Sequence, residues 1–367
     1  MLPAHPFIPA VAALAGSFVL AQGLVLSAHK HGHLTMDLPQ GVQKFHCNPT
    51  PRIGGIAIYV AMVVAWMLIQ SPDENKLMSV LLLAGMPALL GGLTEDVTKR
   101  VSVRSRLLLT MGSGALAALW TGTGLTRVDM GVADYLLSFW PVAVLFTAFA
   151  VGGVANAINI IDGFHGLASG TLIISSLALS AIALSLGDVP LATVSLVLAG
   201  AMAGFWLVNF PWGKLFLGDG GAYFSGFALA WLSVELLSRH PNVTPWASVL
   251  LCGYPTVEVL YSVVRRSRGR LSPGQPDRRH LHSLVATHLV QPRLGALPPN
   301  LANAAVSVVM WICAIVPVLP AIFFSNRGDI LFPALLLCVL AYHLFYRWVA
   351  IPAAPQAVAD AAEEVGI

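Results

Sequence analysis

The chain has 367 residues, 57% of them hydrophobic and only 10% charged, with a mean hydropathy of +0.77. Soluble domains carry about a quarter of their residues charged, so this composition excludes a soluble class and points to a membrane protein. A formal net charge of +3 gives no basis for a nucleic-acid partner, and none is expected.

A helix must run about 20 residues to cross roughly 30 Å of hydrocarbon. Apolar runs of that order fall near 7–28, 53–70, 77–93, 105–121, 135–158, 166–186, 189–209, 219–237, 246–264, 302–324 and 330–349. The expected fold is an all-α polytopic membrane protein of about eleven transmembrane helices, with a single transmembrane domain over 1–350 and a short tail over 351–367. The first run follows MLPAHP, which has no basic region, and no small-residue cleavage site ends it, so it is read as a retained helix. Sixteen of the 20 Lys and Arg residues fall in loops after odd-numbered runs or in the tail, against four in the other loops. The positive-inside rule then places the odd loops and the C-terminus in the cytoplasm and the N-terminus outside. The four cysteines, Cys47, Cys252, Cys313 and Cys338, form no CxxC pair and indicate neither a disulfide framework nor a metal site.

The loops expected in the cytoplasm hold the chemistry. The first, MDLPQGVQKFHCNPTPRIGG, places Asp37, Lys44, His46 and Arg52 ahead of Gly54-Gly55. Its basic groups could hold phosphates, although sidedness alone predicts basic residues here; the order of Lys, His, a Pro-Thr-Pro-Arg turn and paired glycines is not required by sidedness. In the second, GGLTEDVTKR, Glu95 and Asp96 stand where a helix leaves the membrane. Ionisable groups there are costly enough to suggest function. Adjacent helical residues point about 100° apart, so one acid could touch a reactant while the other positions a lysine, a metal or a neighbouring helix. The bland alternative is an interfacial acid pair answering Lys99 and Arg100.

The third stretch, NAINIIDGFHGLASG, sets Asn156, Asn159 and Asp162 three residues apart on one helix face, with His165 between Gly163 and Gly166. Its oxygens suit a hard cation, and its amides suit a phosphate or a sugar. Polar caps and a glycine stop would explain one Asn and one Gly, but not the whole stripe. In the fourth, Asp219 lies among Gly218, Gly220 and Gly221 at the start of a run. That carboxylate suits a Mg²⁺ shared with substrate phosphates, and it also suits a helix N-cap. The last loop contains PDRRHLHS, where Asp277, Arg279, His280 and His282 come close together. Two histidines beside arginines look more like an anion clamp than a zinc site.

In this order the motifs resemble, over nearly the whole chain, the polyprenyl-phosphate N-acetylhexosamine-1-phosphate transferases (glycosyltransferase family 4). That superfamily includes the enzymes that start O-antigen and enterobacterial common antigen chains and the translocase that makes lipid I. The family's Lys, His and Pro-Thr fall on Lys44, His46, Pro49 and Thr50; its paired acids on Glu95 and Asp96, with Glu for the usual first Asp; its Asn-rich DG motif on Asn156, Asn159, Asp162 and Gly163, with His165 for a common second Asp. Its Gly-Asp falls on Asp219, its Pro-x-x-acid on Pro255 and Glu258, and its Pro-Asp-Arg-x-His-x-His on Pro276 to His282, with Ser283 where a third His is frequent.

The resemblance implies a transferase of the bacterial inner membrane, multi-pass, with its catalytic loops facing the cytoplasm, closer to the O-antigen branch than to the peptidoglycan branch. It implies undecaprenyl phosphate, a UDP-N-acetylhexosamine (GlcNAc or a 6-deoxy relative such as FucNAc or QuiNAc) and membrane lipids as partners, with a second copy of the chain as a further candidate. It implies Mg²⁺, or Mn²⁺ in its place, on Asp219 and Asp162. Glu95, Asp96, Asp162 and Asp219 are then the expected catalytic residues, and Lys44, His46, Asn156, Asn159, His165, Arg279, His280 and His282 the substrate-binding ones. The alternatives are a lipid I-forming translocase and, in another class, a secondary transporter. Transport sites place their acids near the bilayer midplane between inverted repeats. Here the acids line one face, and no such repeat is found.

Overall fold

The computed structural model describes residues 7–37, 49–269 and 277–351. Lys44, His46, Cys47 and Pro276 lie outside the described residues, as does nearly all of the expected tail.

The chain forms α1 (Phe7–Leu26), α2 (Ala28–Thr35), α3 (Gly54–Trp66), α4 (Pro72–Ala84), α5 (Met86–Thr98), α6 (Val103–Thr121), α7 (Gly131–Leu137), α8 (Trp140–Ile161), α9 (Leu167–Ser185), α10 (Val189–Asn209), α11 (Gly218–Arg239), α12 (Pro245–Leu251), α13 (Gly253–Arg268), α14 (Leu281–Leu284), α15 (Gln291–Leu294), α16 (Pro299–Phe323) and α17 (Gly328–Ala350). A π-helical turn, Val285–Val290, joins α14 to α15. Two short strands, β1 (Met36–Asp37) and β2 (Thr50–Pro51), pair antiparallel with Asp37 opposite Thr50. All eleven expected runs fall on helices. Among the described residues eight helical segments, α4 with α5 counted as one, are long and apolar enough to cross a membrane, and the bent pair α12 and α13 can make a ninth. The two remaining runs fall on α3, which has only 13 residues, and on α6, whose first turn carries Arg104 and Arg106.

Helix α11 is the axis of the bundle. It is the least apolar of the eight, yet the most completely buried, because its neighbours are helices rather than lipid. Trp231, Phe224 and Phe227 fill its middle. Its first turn is packed backbone to backbone. A Cβ on Gly55 would lie 2.6 Å from the Gly221 Cα, and one on Gly220 would lie 2.7 Å from Leu93 Cγ. Small residues at such crossings let helices approach closely where lipid gives no hydrophobic drive. Thus α3 and α5 are drawn against the start of α11, and Arg52, Asp96 and Asp219, which flank those glycines, are brought together.

The break between α12 and α13 turns the chain by 83°. Pro255 sits in the first turn of α13, where its missing N–H costs nothing, so the helix can restart in a new direction. This carries Glu258, Arg265 and Arg266 toward the same end of the bundle. Residues of the even-numbered loops gather at the other end: Arg239 pairs with Asp188, Arg127 Nη2 donates to the Val243 carbonyl and Thr244 to Asp129.

Candidate active site

The N-terminus of α11 carries unsatisfied N–H groups, and Asp96 occupies it. Its carboxylate accepts from the Asp219 N–H at 2.9 Å and the Gly220 N–H at 3.0 Å and takes the Arg52 Nε at 3.1 Å. The side chain is fully buried and stands off the cavity wall. Of the two roles open to the acid pair, Asp96 therefore takes the second: it positions a helix and an arginine. Gly218, at φ +75°, makes room for it, since a Cβ there would lie 2.7 Å from Asp96 Oδ2. Glu95 points away, as the helical angle requires. It accepts from the Val101 N–H at 2.7 Å and lies 3.9 Å from Arg106 Nη1.

Asp219 is surrounded by donors. Oδ1 accepts from Arg52 Nη2 at 2.8 Å and from the Asn159 amide at 3.0 Å, and Oδ2 accepts from Arg106 Nη1. The Asn159 carbonyl oxygen in turn accepts from the Tyr223 hydroxyl at 3.2 Å. Arg52 also faces Asp37, at 3.7 Å, across the small sheet. Four acids and two arginines thus share one cluster with Asn159.

Beside it opens a polar cavity of about 310 Å³ lined by Arg52, Asn159, Asp162, His165, His280 and His282, among others. Asp162 follows the last residue of α8, and its carboxylate accepts no hydrogen bond among the described residues. Burial, with Asp219 and Asp96 nearby, pushes it up to about 7 against the pull of Arg52. Among the described residues no three His, Cys, Asp or Glu side chains converge as a ready-made metal cage. Mg²⁺, however, commonly takes only one or two carboxylates together with substrate phosphates. The unpaired Asp162 oxygens, with Asp219 one hydrogen bond behind the wall, fit that chemistry.

Also lining the cavity, His280 Nδ1 donates to Glu258 Oε1 at 3.0 Å, and the two imidazoles of His280 and His282 stack at 5.3 Å. Burial pushes His282 down to about 4, so it is neutral at pH 7, and its buried Nδ1 has no hydrogen-bond partner among the described residues. Asp277 ties this loop to α13 through Arg265 and, at 3.4 Å, Arg266. The 279 N–H donating to its carboxylate and the Arg265 guanidinium hold Asp277 down to about 2, against burial.

Two expected residues, Asn156 and Arg279, are placed off the cavity, and a third, His165, lines it while bracing a loop. Asn156 donates to Thr110 Oγ1 at 3.0 Å and to its own helix at Gly152, so it locks α8 to α6 and leaves the stripe to Asn159 and Asp162. The Arg279 side chain is exposed and off the cavity wall, while its carbonyl accepts from Tyr346. His165 reaches the wall but is buried: its Nδ1–H donates to the Pro211 carbonyl at 3.0 Å, and its backbone binds Asn303 and Ser307. It braces the loop after α10. The sequence reading singled out neither Arg106 nor Tyr223. Arg104 and Arg106 alternate in one basic run, and only the docking of α6 turns Arg106 inward and leaves Arg104 exposed.

Residues 78–237 match the description of glycosyl transferase family 4. The chain is 29% identical over 261 residues, 70% of its length and 71% of the relative's, to a probable undecaprenyl-phosphate N-acetylglucosaminyl 1-phosphate transferase of Bacillus subtilis. It is 32% identical over 274 residues, 65% of each chain, to a decaprenyl-phosphate N-acetylglucosaminephosphotransferase of Mycolicibacterium smegmatis. To the undecaprenyl-phosphate alpha-N-acetylglucosaminyl 1-phosphate transferase of Escherichia coli K12 it is 25% identical over 249 residues, covering 66% of this chain and 67% of that one.

Proposed function

We propose that this chain, which resembles undecaprenyl- and decaprenyl-phosphate N-acetylglucosamine-1-phosphate transferases over about two thirds of its length and matches glycosyl transferase family 4 over residues 78–237, moves an N-acetylhexosamine 1-phosphate from a UDP-sugar to undecaprenyl phosphate, releasing UMP. The supporting observation is the cavity that Asp162 lines together with His280 and His282, beside the Arg52, Arg106 and Asp219 cluster. The product is the lipid-linked sugar that starts a surface polysaccharide such as O-antigen. GlcNAc is the sugar favoured by the relatives' names.

An oxygen of the lipid phosphate attacks the β-phosphorus of the UDP-sugar; that P–O bond forms as the bridging bond to the α-phosphate breaks, and UMP leaves with the electron pair. Phosphoryl transfer asks mainly for positioning and charge neutralisation. A phosphate monoester has its second pKa near 6, so most of the acceptor is already dianionic at neutral pH and needs no strong base. A Mg²⁺ held by Asp162 and substrate phosphates would neutralise the diphosphate, while Asp219, expected as a ligand, is engaged behind the wall by Arg52, Asn159 and Arg106. Arg52 gives the wall a fixed positive charge, and Asp219 and Asp96 set its direction. Asn159 offers its amide at the same point. His280 and His282 offer their ring nitrogens to phosphate oxygens in the cavity; Lys44 and His46, which lie outside the described residues, are assigned to phosphate by the motif resemblance alone. Glu95 restrains Arg106 and the turn at Val101 without abstracting a proton. Asp96 acts as a positioning residue. The cavity faces the cytoplasm in the bacterial inner membrane, where UDP-sugars are supplied.

The test is UMP release by the purified protein. It should require polyprenyl phosphate together with a UDP-N-acetylhexosamine, stop with EDTA and return with Mg²⁺ or Mn²⁺. A panel of UDP-GlcNAc, UDP-FucNAc and UDP-QuiNAc identifies the sugar. No UMP from any donor would refute the reading.

A further inference from the structure

The last helix, α17, buries only Leu331, Tyr342, Tyr346 and Val349. Tyr342 and Tyr346 are four residues apart and so share one face, and both hydroxyls reach the machinery of the histidine loop. Tyr342 donates to Glu258 Oε2 at 2.9 Å, while Glu258 Oε1 accepts from His280 Nδ1 at 3.0 Å and from the Leu281 N–H at 3.2 Å. Tyr346 donates to the Arg279 carbonyl at 3.1 Å, one residue before His280. Glu258 is 1% exposed, so water cannot replace a lost donor easily.

Resting on the function proposed above, we propose that Tyr342 is a positioning residue for the transfer: by holding the second oxygen of Glu258, it fixes the carboxylate that accepts from His280 Nδ1 and so orients that imidazole toward substrate phosphate. The groups facing His280 are Glu258 from α13, Tyr342 from α17, and Asp277 and His282 from its own loop, with Arg265 and Arg266 reaching it through Asp277. Glu258 is the carboxylate in direct contact, and Tyr342 is the side chain that shares it.

Tyr342→Phe removes one hydroxyl and keeps the ring. Losing a hydrogen bond to a buried carboxylate frees Glu258 Oε2 and should lower kcat for UMP release by about three- to tenfold, with KM for the UDP-sugar little changed. The readout that needs no activity is the ring-nitrogen NMR spectrum of His280 at one fixed pH in histidine-labelled full-length protein, which reports the hydrogen bond made by Nδ1. The expected result is a moved Nδ1 resonance, a lower kcat, and no further loss when Tyr342→Phe is added to Glu258→Gln. Tyr346→Phe, which touches only the backbone, should leave the resonance in place. An unmoved resonance in folded Tyr342→Phe, with loss of thermal stability alone, overturns the proposal. If Tyr342→Phe does not fold, Glu258→Gln decides: an unmoved resonance there overturns it equally. A wild type that releases no UMP would refute the functional reading, while the spectrum would still decide the role of Tyr342.

Discussion

Two asparagines one helical turn apart do different work, and the difference can be measured. Asn159 donates to Asp219 at the cavity wall; Asn156 donates to Thr110 between α6 and α8. Asn159→Ala should cut kcat by about ten- to a hundredfold, in the range for removing one preorganised donor beside developing charge, with the detergent-solubilised protein melting nearly as wild type. Asn156→Ala should do the reverse: about 1 kcal/mol of stability is lost with its hydrogen bonds, and kcat stays within a fewfold. Equal kcat losses in both would remove the distinction. Glu95 gives a second contrast. It touches a backbone N–H and Arg106, so Glu95→Ala should lose activity across the whole pH range. Recovery at pH 9 would mean that it acts as a base after all.

At the level of elements, the glycine pairs set what the site can be. A methyl on Gly92 would press into the Asp219–Gly220 backbone, and overpacking of a tight contact typically costs about 1–3 kcal/mol, more where backbone must move. Gly92→Ala should therefore lower the melting temperature and kcat together, because the displaced turn carries Asp219. The histidine loop answers to pH instead. His282 has a folded value of about 4 against an ordinary 6.5, so its contribution is complete above pH 6.5 and is lost as pH falls toward 4. Asp277, held to about 2, adds a loss that begins below its ordinary range near 4 and runs down toward 2. Hydrogen exchange over 277–290 should accordingly speed up, relative to the core of α11, between pH 6.5 and 4.5, and His282→Phe should flatten that dependence. The sequence discloses these elements unevenly. Apolar runs mark the helices because the bilayer demands them, and the motif order marks Asp162, Asp219 and His280. It does not say which of Asn156 and Asn159 faces the cavity, because both share the three-residue spacing, nor that Asp96 caps α11, because that bond spans more than 120 residues of chain. Arg52 and Arg106 are basic residues in basic loops, separable from their neighbours only once α3 and α6 are docked.

The whole molecule has two chemically distinct ends. One holds Arg52, Asp96, Asp162, Asp219 and the histidine loop; the other holds the Arg239–Asp188 and Arg127–Asp129 pairs. The helices bring the odd loops together at the first end and even loops together at the second, in agreement with the distribution of Lys and Arg, sixteen against four. A membrane enzyme that consumes a nucleotide sugar must open its cavity toward the compartment that supplies it, and positive-inside insertion turns the arginine-rich end the same way. Arg104 at the start of α6 and Val132 at the start of α7 are both exposed and flank opposite ends of α6. In a cysteine-free background, Val132→Cys should react with a membrane-impermeant maleimide in cells with a permeabilised outer envelope and intact inner membrane. Arg104→Cys should react only in inverted vesicles. The opposite labelling would put the cavity on the side without UDP-sugar, and the proposed reaction could not run there whatever the purified protein does in detergent.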